Sequence, residues 1–377
     1  MVDIPKHIRN LQPYKAGKPI DDLAAEKNLK RIVKLASNEN PLGPSPKAIE
    51  AMKAALPELH RYVNPGAHRL VNAISKKYDI DRRRIVCGHG TDALIAYIIE
   101  TFTTHEDEVL TSEGTFIGIY VSTNKTDRQL RKIPLNNYSF DLERIASSVN
   151  SHTRIIYLAN PNNPTGTMFD KAAFESFMAQ VPTNMLVILD EAYTTYAQDH
   201  PGYPNGLEYD FENLIVTRTL SKIYGLAGIR VGFAVGPAEL IREIYKVKLP
   251  FEPNLLAQVA AIAALDDDEF LERTIELNKR SLRRFRDGFD RLHLPYCNSA
   301  ANFLMILLPS RDDAVAFDAA CLDRGLIVRH VEGFGIPNGI RINSGTDDET
   351  TFALEVIEEV CTTILKQPLA GSLKSKG

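Results

Sequence analysis

Four stretches of this chain carry chemistry-bearing side chains where short apolar runs end. The first runs Thr219-Leu220-Ser221-Lys222-Ile223-Tyr224-Gly225-Leu226-Ala227-Gly228-Ile229-Arg230 and offers a hydroxyl, an amine and a guanidinium to one pocket. An amine desolvated among other cations loses its proton more readily, as a Schiff-base lysine requires. The second is Leu186-Val187-Ile188-Leu189 followed by Asp190-Glu191-Ala192-Tyr193, an acid at the end of a strand that reads as buried. The third, Asn160-Pro161-Asn162-Asn163-Pro164-Thr165-Gly166, supplies amides and a hydroxyl. In the fourth, Gly88-His89-Gly90-Thr91-Asp92 opens a helix, which aims free backbone N–H groups and a positive helix end at an anion. Taken singly, each has an ordinary structural reading: a surface lysine beside a glycine turn, a structural acid, a loop that turns the chain, a loop histidine.

The elements that must position these stretches alternate in type. Apolar runs at 84–87, 108–110, 154–159, 185–189 and 214–216 read as buried strands, with helical patterns such as 93–102 and 171–179 between them. That alternation predicts an α/β unit with a mostly parallel sheet and right-handed crossovers, and ligands in such sheets bind beyond the carboxyl ends of the strands. Residues 1–40 read as an irregular arm, followed by a helix capped by Ser45 with Pro46 in first position. A further helix begins near His68. After Gly236 come charged amphipathic helices at 238–247 and 267–291, then a smaller α+β unit. Its strands are expected near 302–308, 326–331 and 339–342, with a helix at 314–324. Thr346 and Glu349 form a capping box for a last helix reaching about 365. The expected division is an arm, 1–44, that joins the small domain, a large domain, 45–250, and a small C-terminal domain, 251–377.

Composition narrows the function classes. With 377 residues, 44% hydrophobic and 24% charged, the chain has ordinary globular composition and room for two or three domains. A net charge of -4 gives no basic surplus for nucleic acid. No window approaches a membrane span, and Asp3, Lys6, His7 and Arg9 interrupt any apolar leader, so the cytoplasm is the expected compartment. Cys87, Cys297, Cys321 and Cys361 lie far apart, form no C-x-x-C pair and read as buried free thiols, and no metal site is expected.

Two rivals fail on what is missing. An Asp-Glu strand end also suits a nucleotide hydrolase, but G-x-x-x-x-G-K-[ST] is absent. A Ser–Lys hydrolase needs S-x-x-K with supporting partners. Pyridoxal phosphate combines all the pieces: it needs a lysine for its aldehyde, a carboxylate for its ring nitrogen and donors for its ring oxygen. Its phosphate needs hydroxyls, an arginine and a helix N-terminus.

The ordered set Asn160–Gly166, Asp190–Tyr193, Ser221-Lys222 and Arg230 resembles the signature of fold-type I pyridoxal-phosphate aminotransferases. The resemblance covers nearly the whole chain and narrows to the histidinol-phosphate aminotransferase family. The narrowing stretches are Leu11-Gln12-Pro13-Tyr14, Ala36-Ser37-Asn38-Glu39-Asn40-Pro41-Leu42-Gly43, Arg61-Tyr62, Thr217–Lys222 and Gly325–Arg329. It implies that Lys222 carries the cofactor and shuttles a proton, that Asp190 keeps the ring nitrogen protonated, and that Asn163 and Tyr193 bond the ring oxygen. It further implies phosphate binding by Gly90, Thr91, Asp92, Thr219, Ser221 and Arg230, and ring stacking by Phe116. Tyr62 would reach the phosphate of the other subunit in a homodimer. Tyr14, Asn38, Arg329 and Arg341 would bind substrate. The chain departs from the family pattern at Val63, Ala93 and Gly114, where Pro, Glu and Pro are usual. The implied substrates are an amino donor, typically glutamate, and a phosphorylated or aromatic keto acceptor. An aromatic aminotransferase, a threonine-phosphate-type decarboxylase of the same fold and a non-catalytic cofactor-binding regulator stand as alternatives. A regulator would usually add a DNA-binding domain, for which the short arm leaves no room.

Overall fold

The computed structural model describes residues 2–11, 18, 20–27 and 29–363. Its strands are β1 (Val33–Lys34), β2 (Ile85–Gly88), β3 (Glu108–Ser112), β4 (Gln129–Ile133), β5 (Thr153–Ala159) and β6 (Leu186–Asp190). They continue with β7 (Leu214–Thr219), β8 (Gly232–Val235), β9 (Phe303–Leu307), β10 (Leu326–Ile327), β11 (Arg329–His330) and β12 (Gly339–Asn343). Seven form one sheet in the order β2-β8-β7-β6-β5-β3-β4. β8 runs antiparallel to both neighbours, and the other pairings in this sheet are parallel. A mostly parallel mixed sheet therefore stands where the alternating pattern predicts one.

The middle strands are apolar along their length because helices cover both faces. Ile156, Val187, Ile188 and Ile215 are completely buried, as is Phe174 of the helix Lys171–Gln180 that packs on them. Burying each such side chain stabilises the fold by about 1.5–3 kcal/mol, and a one-residue slip would forfeit the set. The fixed register brings Ala159, Asp190 and Thr217 abreast at the carboxyl edge.

A second core surrounds the antiparallel sheet β11-β12-β9, where Phe285 and Phe289 of the helix Asp268–Arg291 meet Phe317 of the helix Arg311–Asp323. The final helix, Asp347–Thr363, closes that core. Its capping box is formed: the Thr346 N–H donates to Glu349 and the Glu349 N–H donates to the Thr346 hydroxyl, at 2.8 and 3.1 Å. Ser45 likewise accepts from the Ala48 N–H to cap the helix Pro46–Ala55.

Several elements differ from expectation. The arm is not irregular throughout: it holds short helices at Lys6–Arg9 and Ile20–Glu26, and β1 pairs in parallel with β10. The expected strand at 326–331 is two strands, because Val328 is where the chain leaves the arm's β1 and joins β12. β4 gives little strand signal, carrying Arg131 and Lys132 at a sheet edge, where charge blocks further pairing. The helix Leu255–Leu265 is apolar on every face and so lacks amphipathic period. Although it lies beyond residue 250, it packs with Leu70, Ile85 and Phe233 on the large-sheet side.

Candidate active site

The carboxyl edge of the large sheet opens into a cleft walled on the far side by the arm and the small sheet. Strand β6 ends on Asp190, which is 4% exposed and lines the cleft. Its Oδ2 accepts from the Tyr157 hydroxyl at 2.7 Å, and its Oδ1 accepts from the Ala192 N–H at 3.1 Å. Both donors are neutral, and among the described residues no cation lies within ion-pair distance. Burial therefore pushes its pKa up from the usual 3.8 to about 6 despite those bonds. Tyr157 is itself wholly buried inside β5, and its sequence context gives no hint of this role.

Lys222 follows β7 and donates to the Ser37 carbonyl at 3.2 Å. Desolvation first, and Arg341 next, lower its amine from 10.5 to about 8. The chain can turn back beneath it because Gly225 has φ +68°, and a Cβ there would stand 2.1 Å from the Gly43 carbonyl oxygen. Arg230 sits at φ +58°, a conformation that strains a non-glycine residue by about 1–3 kcal/mol. Its guanidinium donates to Asp92 at 3.0 Å and to the Ser221 hydroxyl at 3.5 Å. Gly90 caps the helix Thr91–Phe102 with no side-chain hydrogen bond, and a Cβ on it would lie 2.7 Å from Arg230. Thr91, Asp92, Thr219, Ser221 and Arg230 thus ring one end of the cleft, with Gly90 admitting the guanidinium.

Buried Tyr193 accepts from the Asn38 side-chain amide at 2.7 Å. Burial raises its hydroxyl to about 12, against the opposing pull of Arg341 and Asn38. Asn163 accepts from Arg341, which also donates to the Ala36 carbonyl at 2.7 Å. Phe116 lines the cleft one residue before the helix Ile117–Lys125. The Asn162 side chain accepts from Thr115 and donates to the Gly114 carbonyl, which ties the Phe116 loop to the 160–166 loop.

Arg329 and Arg341 are direct register partners on β11 and β12, and both line the cleft. Their guanidinium carbons lie 5.9 and 5.7 Å from the centroid of one ring, Phe334. Tyr62 does not line this cleft; it is 85% exposed and stacks on Phe251 at 4.5 Å. Tyr14 lies outside the described residues. His89 is exposed, and the four cysteines are buried and free. No group of His, Cys, Asp or Glu among the described residues has the makings of a metal site. Nor is any described helix long and apolar enough to cross a membrane.

The family of class I and II aminotransferases, compared as a sequence model, matches residues 30–357. The chain belongs to this family. The aminotransferase is 38% identical to a histidinol-phosphate aminotransferase of Caldicellulosiruptor saccharolyticus over 355 residues, 94% of this chain and 98% of that relative. It is 40% identical to the histidinol-phosphate aminotransferase of Bdellovibrio bacteriovorus over 370 residues, covering 96% and 99%. Among solved structures it resembles histidinol-phosphate aminotransferase from Sinorhizobium meliloti in complex with pyridoxal-5'-phosphate. That match has a TM-score of 0.88 at 26% identity and covers 96% of this chain and 98% of the other. An aspartate aminotransferase from Thermus thermophilus, 18% identical, shares the fold with a TM-score of 0.82 over 96% of this aminotransferase and all of its own chain. The fold-type I architecture expected from the sequence is thereby established.

Besides Tyr157, three contributors to the site carry no sequence signal. The Ala36 and Ser37 carbonyls act through the backbone, whatever side chain stands there. The third is the buried Glu191–Arg218 pair beside Asp190, with a closest approach of 2.6 Å, which clamps the ends of β6 and β7. Glu191 also accepts from the Gly206 N–H, so its charge is doubly engaged and suits burial.

Proposed function

We propose that this aminotransferase uses pyridoxal phosphate to transfer the amino group of histidinol phosphate to 2-oxoglutarate, a step of histidine biosynthesis. The observation that carries the reading is the Arg329–Arg341 pair, two guanidiniums on paired strands sharing one aromatic ring in the cleft that holds Lys222. Neighbouring arginine forks suit a dianionic phosphate. The names of the relatives at 38–40% identity support the same substrate.

The donor set fits the cofactor. Asp190 is a buried carboxylate hydrogen-bonded only by neutral groups, and a protonated ring nitrogen is the cation that would suit it. Uncapped helix N–H groups, the hydroxyls of Thr91, Thr219 and Ser221, and Arg230 suit a phosphate, and the missing Cβ of Gly90 keeps that end open. When bound, pyridoxal phosphate supplies an electron sink for breaking a bond to the substrate Cα. Lys222, its amine lowered to about 8, holds or releases a proton near neutral pH and serves as the base at that Cα. Asn163 and Tyr193 orient the cofactor ring through its oxygen, Phe116 packs on the ring, and Asn38 holds Tyr193 in place. Arg329 and Arg341, with Tyr14, bind the substrate's anionic group.

Tyr62 is assigned to the cleft of a second copy in a homodimer, supported by its exposure and its place outside its own cleft. The proposed compartment is the reducing cytoplasm, in keeping with four free thiols. Steady-state kinetics with 2-oxoglutarate test the substrate: kcat/KM for histidinol phosphate should exceed that for phenylalanine or tyrosine. The opposite order would replace this reading with an aromatic aminotransferase.

A further inference from the structure

Lys248 takes no part in the chemistry above, yet its side chain is built into the protein with unusual completeness. The residue is 7% exposed, and its ammonium donates to the carbonyls of Pro65, Leu249 and Glu252 at 3.4, 3.2 and 2.7 Å. Three donors meet three acceptors, and among the described residues no carboxylate lies within ion-pair distance. Burial pushes its pKa down. Two of the acceptors bracket Phe251, whose φ of +64° is strained for an aromatic residue. The third belongs to the loop that carries Tyr62. Phe251 and Tyr62 stack at 4.5 Å with their planes 28° apart, so the two loops touch through the rings and through the lysine. Beyond them, the Glu252 carboxylate accepts from the Tyr97 hydroxyl at 2.9 Å, and Tyr97 rides on the helix Thr91–Phe102 that opens on the cleft.

We propose that Lys248 is a positioning residue that fastens loops 61–66 and 249–253 together, so that Tyr62 stands ready for the cleft of a second copy. The proposal rests on the assignment of Tyr62 to that cleft. Holding an exposed ring in its bound orientation removes the ordering penalty that a free loop would meet on assembly. Among the described residues the Tyr62 hydroxyl makes no hydrogen bond within its own chain, which leaves it for an acceptor elsewhere. An arginine fork would not reproduce three divergent donors, and a methionine would leave three carbonyls without a partner.

Equilibrium titration of the full-length dimer with pyridoxal phosphate, read by absorbance, tests this. Tyr62→Phe should weaken cofactor binding about tenfold, the loss of one hydrogen bond to a charged group. Lys248→Met should weaken it by a similar factor, and the double variant should be no worse than either single one, because both remove the same contact. Phe251→Ala carries the same expectation and empties no buried polar site, so it decides the matter if Lys248→Met does not fold. A purely structural role for Lys248 would instead lower Tm and add its effect to that of Tyr62→Phe. Additive effects in both pairs would overturn the proposal and leave Tyr62 in the partner's cleft. A Tyr62→Phe protein with unchanged affinity would remove the assignment of Tyr62 first, and the role of Lys248 with it.

Discussion

The floor of the cleft and its opposite wall are assembled in different ways. On the floor, Asp190, Thr219 and Lys222 stand at the ends of neighbouring strands, and the buried apolar interior of the sheet fixes their spacing. The wall takes Asn38 from the arm and Arg329 and Arg341 from a separate three-stranded sheet with its own core. The wall meets the floor through hydrogen bonds, Asn38 to Tyr193, Arg341 to Asn163 and Lys222 to Ser37, and through two small apolar clusters around Phe303 and Phe334. A floor held by dozens of packed side chains suits a constant task, binding a cofactor. A wall built on a separate sheet suits a task that differs from one relative to the next, choosing the substrate.

Changes to the floor should therefore affect every substrate alike, and changes to the wall should discriminate. Lys222→Ala should give the largest effect, a loss of at least about 10⁴-fold in kcat with any amino donor. Borohydride treatment followed by mass spectrometry should find no cofactor covalently attached to that variant. If the adduct persists, another lysine does this work. On the wall, Arg329→Ala should lower kcat/KM for histidinol phosphate by about 10- to 100-fold, the worth of a charge-assisted hydrogen bond, and leave phenylalanine nearly untouched. Equal losses for both substrates would erase the distinction between floor and wall. Gly90→Ala places a methyl group against Arg230 at a positive φ, so cofactor affinity should fall by about tenfold with substrate preference unchanged.

The smallest effect concerns stability without cofactor. The folded pKa of Asp190, about 6, is above its ordinary 3.8. Between those values the folded state keeps a proton that the unfolded chain has released, so this group's contribution falls as pH rises from about 4 to about 6. Above that range the full penalty of a buried charge is present. Cofactor-free Asp190→Asn should accordingly melt on the order of 2–4 °C higher than the parent at pH 8, with the gap closing near pH 4. Calorimetry at the two pH values checks this, and a gap that widens toward acid would contradict the assigned cause.

The same contrast explains what was legible in the residues. Asp190, Lys222 and the Gly88–Asp92 loop announce themselves because an apolar run, then a polar residue, then a turn is a local pattern with a local cause. Arg329 begins β11, but Arg341 stands in the middle of β12 rather than at the strand end its sequence suggests; their pairing is a property of the sheet, and their shared ring at Phe334 is a tertiary fact. β4 and the helix Leu255–Leu265 escape for opposite reasons. The strand is a charged edge, and the helix is apolar even on its half-buried side, so neither shows the half-and-half pattern that periodicity detects. Tyr157 is hidden in plain sight, a hydroxyl inside a strand that otherwise reads as packing.

The Ala36 and Ser37 carbonyls have a consequence for how this enzyme would look under mutation. Both oxygens meet cations of the cleft, Arg341 and Lys222, yet they belong to the main chain. A scan that swaps side chains one at a time would leave those two contacts standing and could score position 37 as dispensable. Ester replacement of the Ser37–Asn38 peptide linkage, which weakens the Ser37 carbonyl as an acceptor and removes the Asn38 N–H that donates to Asn343 at 3.0 Å, would expose the dependence on this stretch of main chain. So would a one-residue deletion in the segment. Along these residues tolerance of substitution and intolerance of length change should coexist, a pattern that sequence variability alone would misread as freedom.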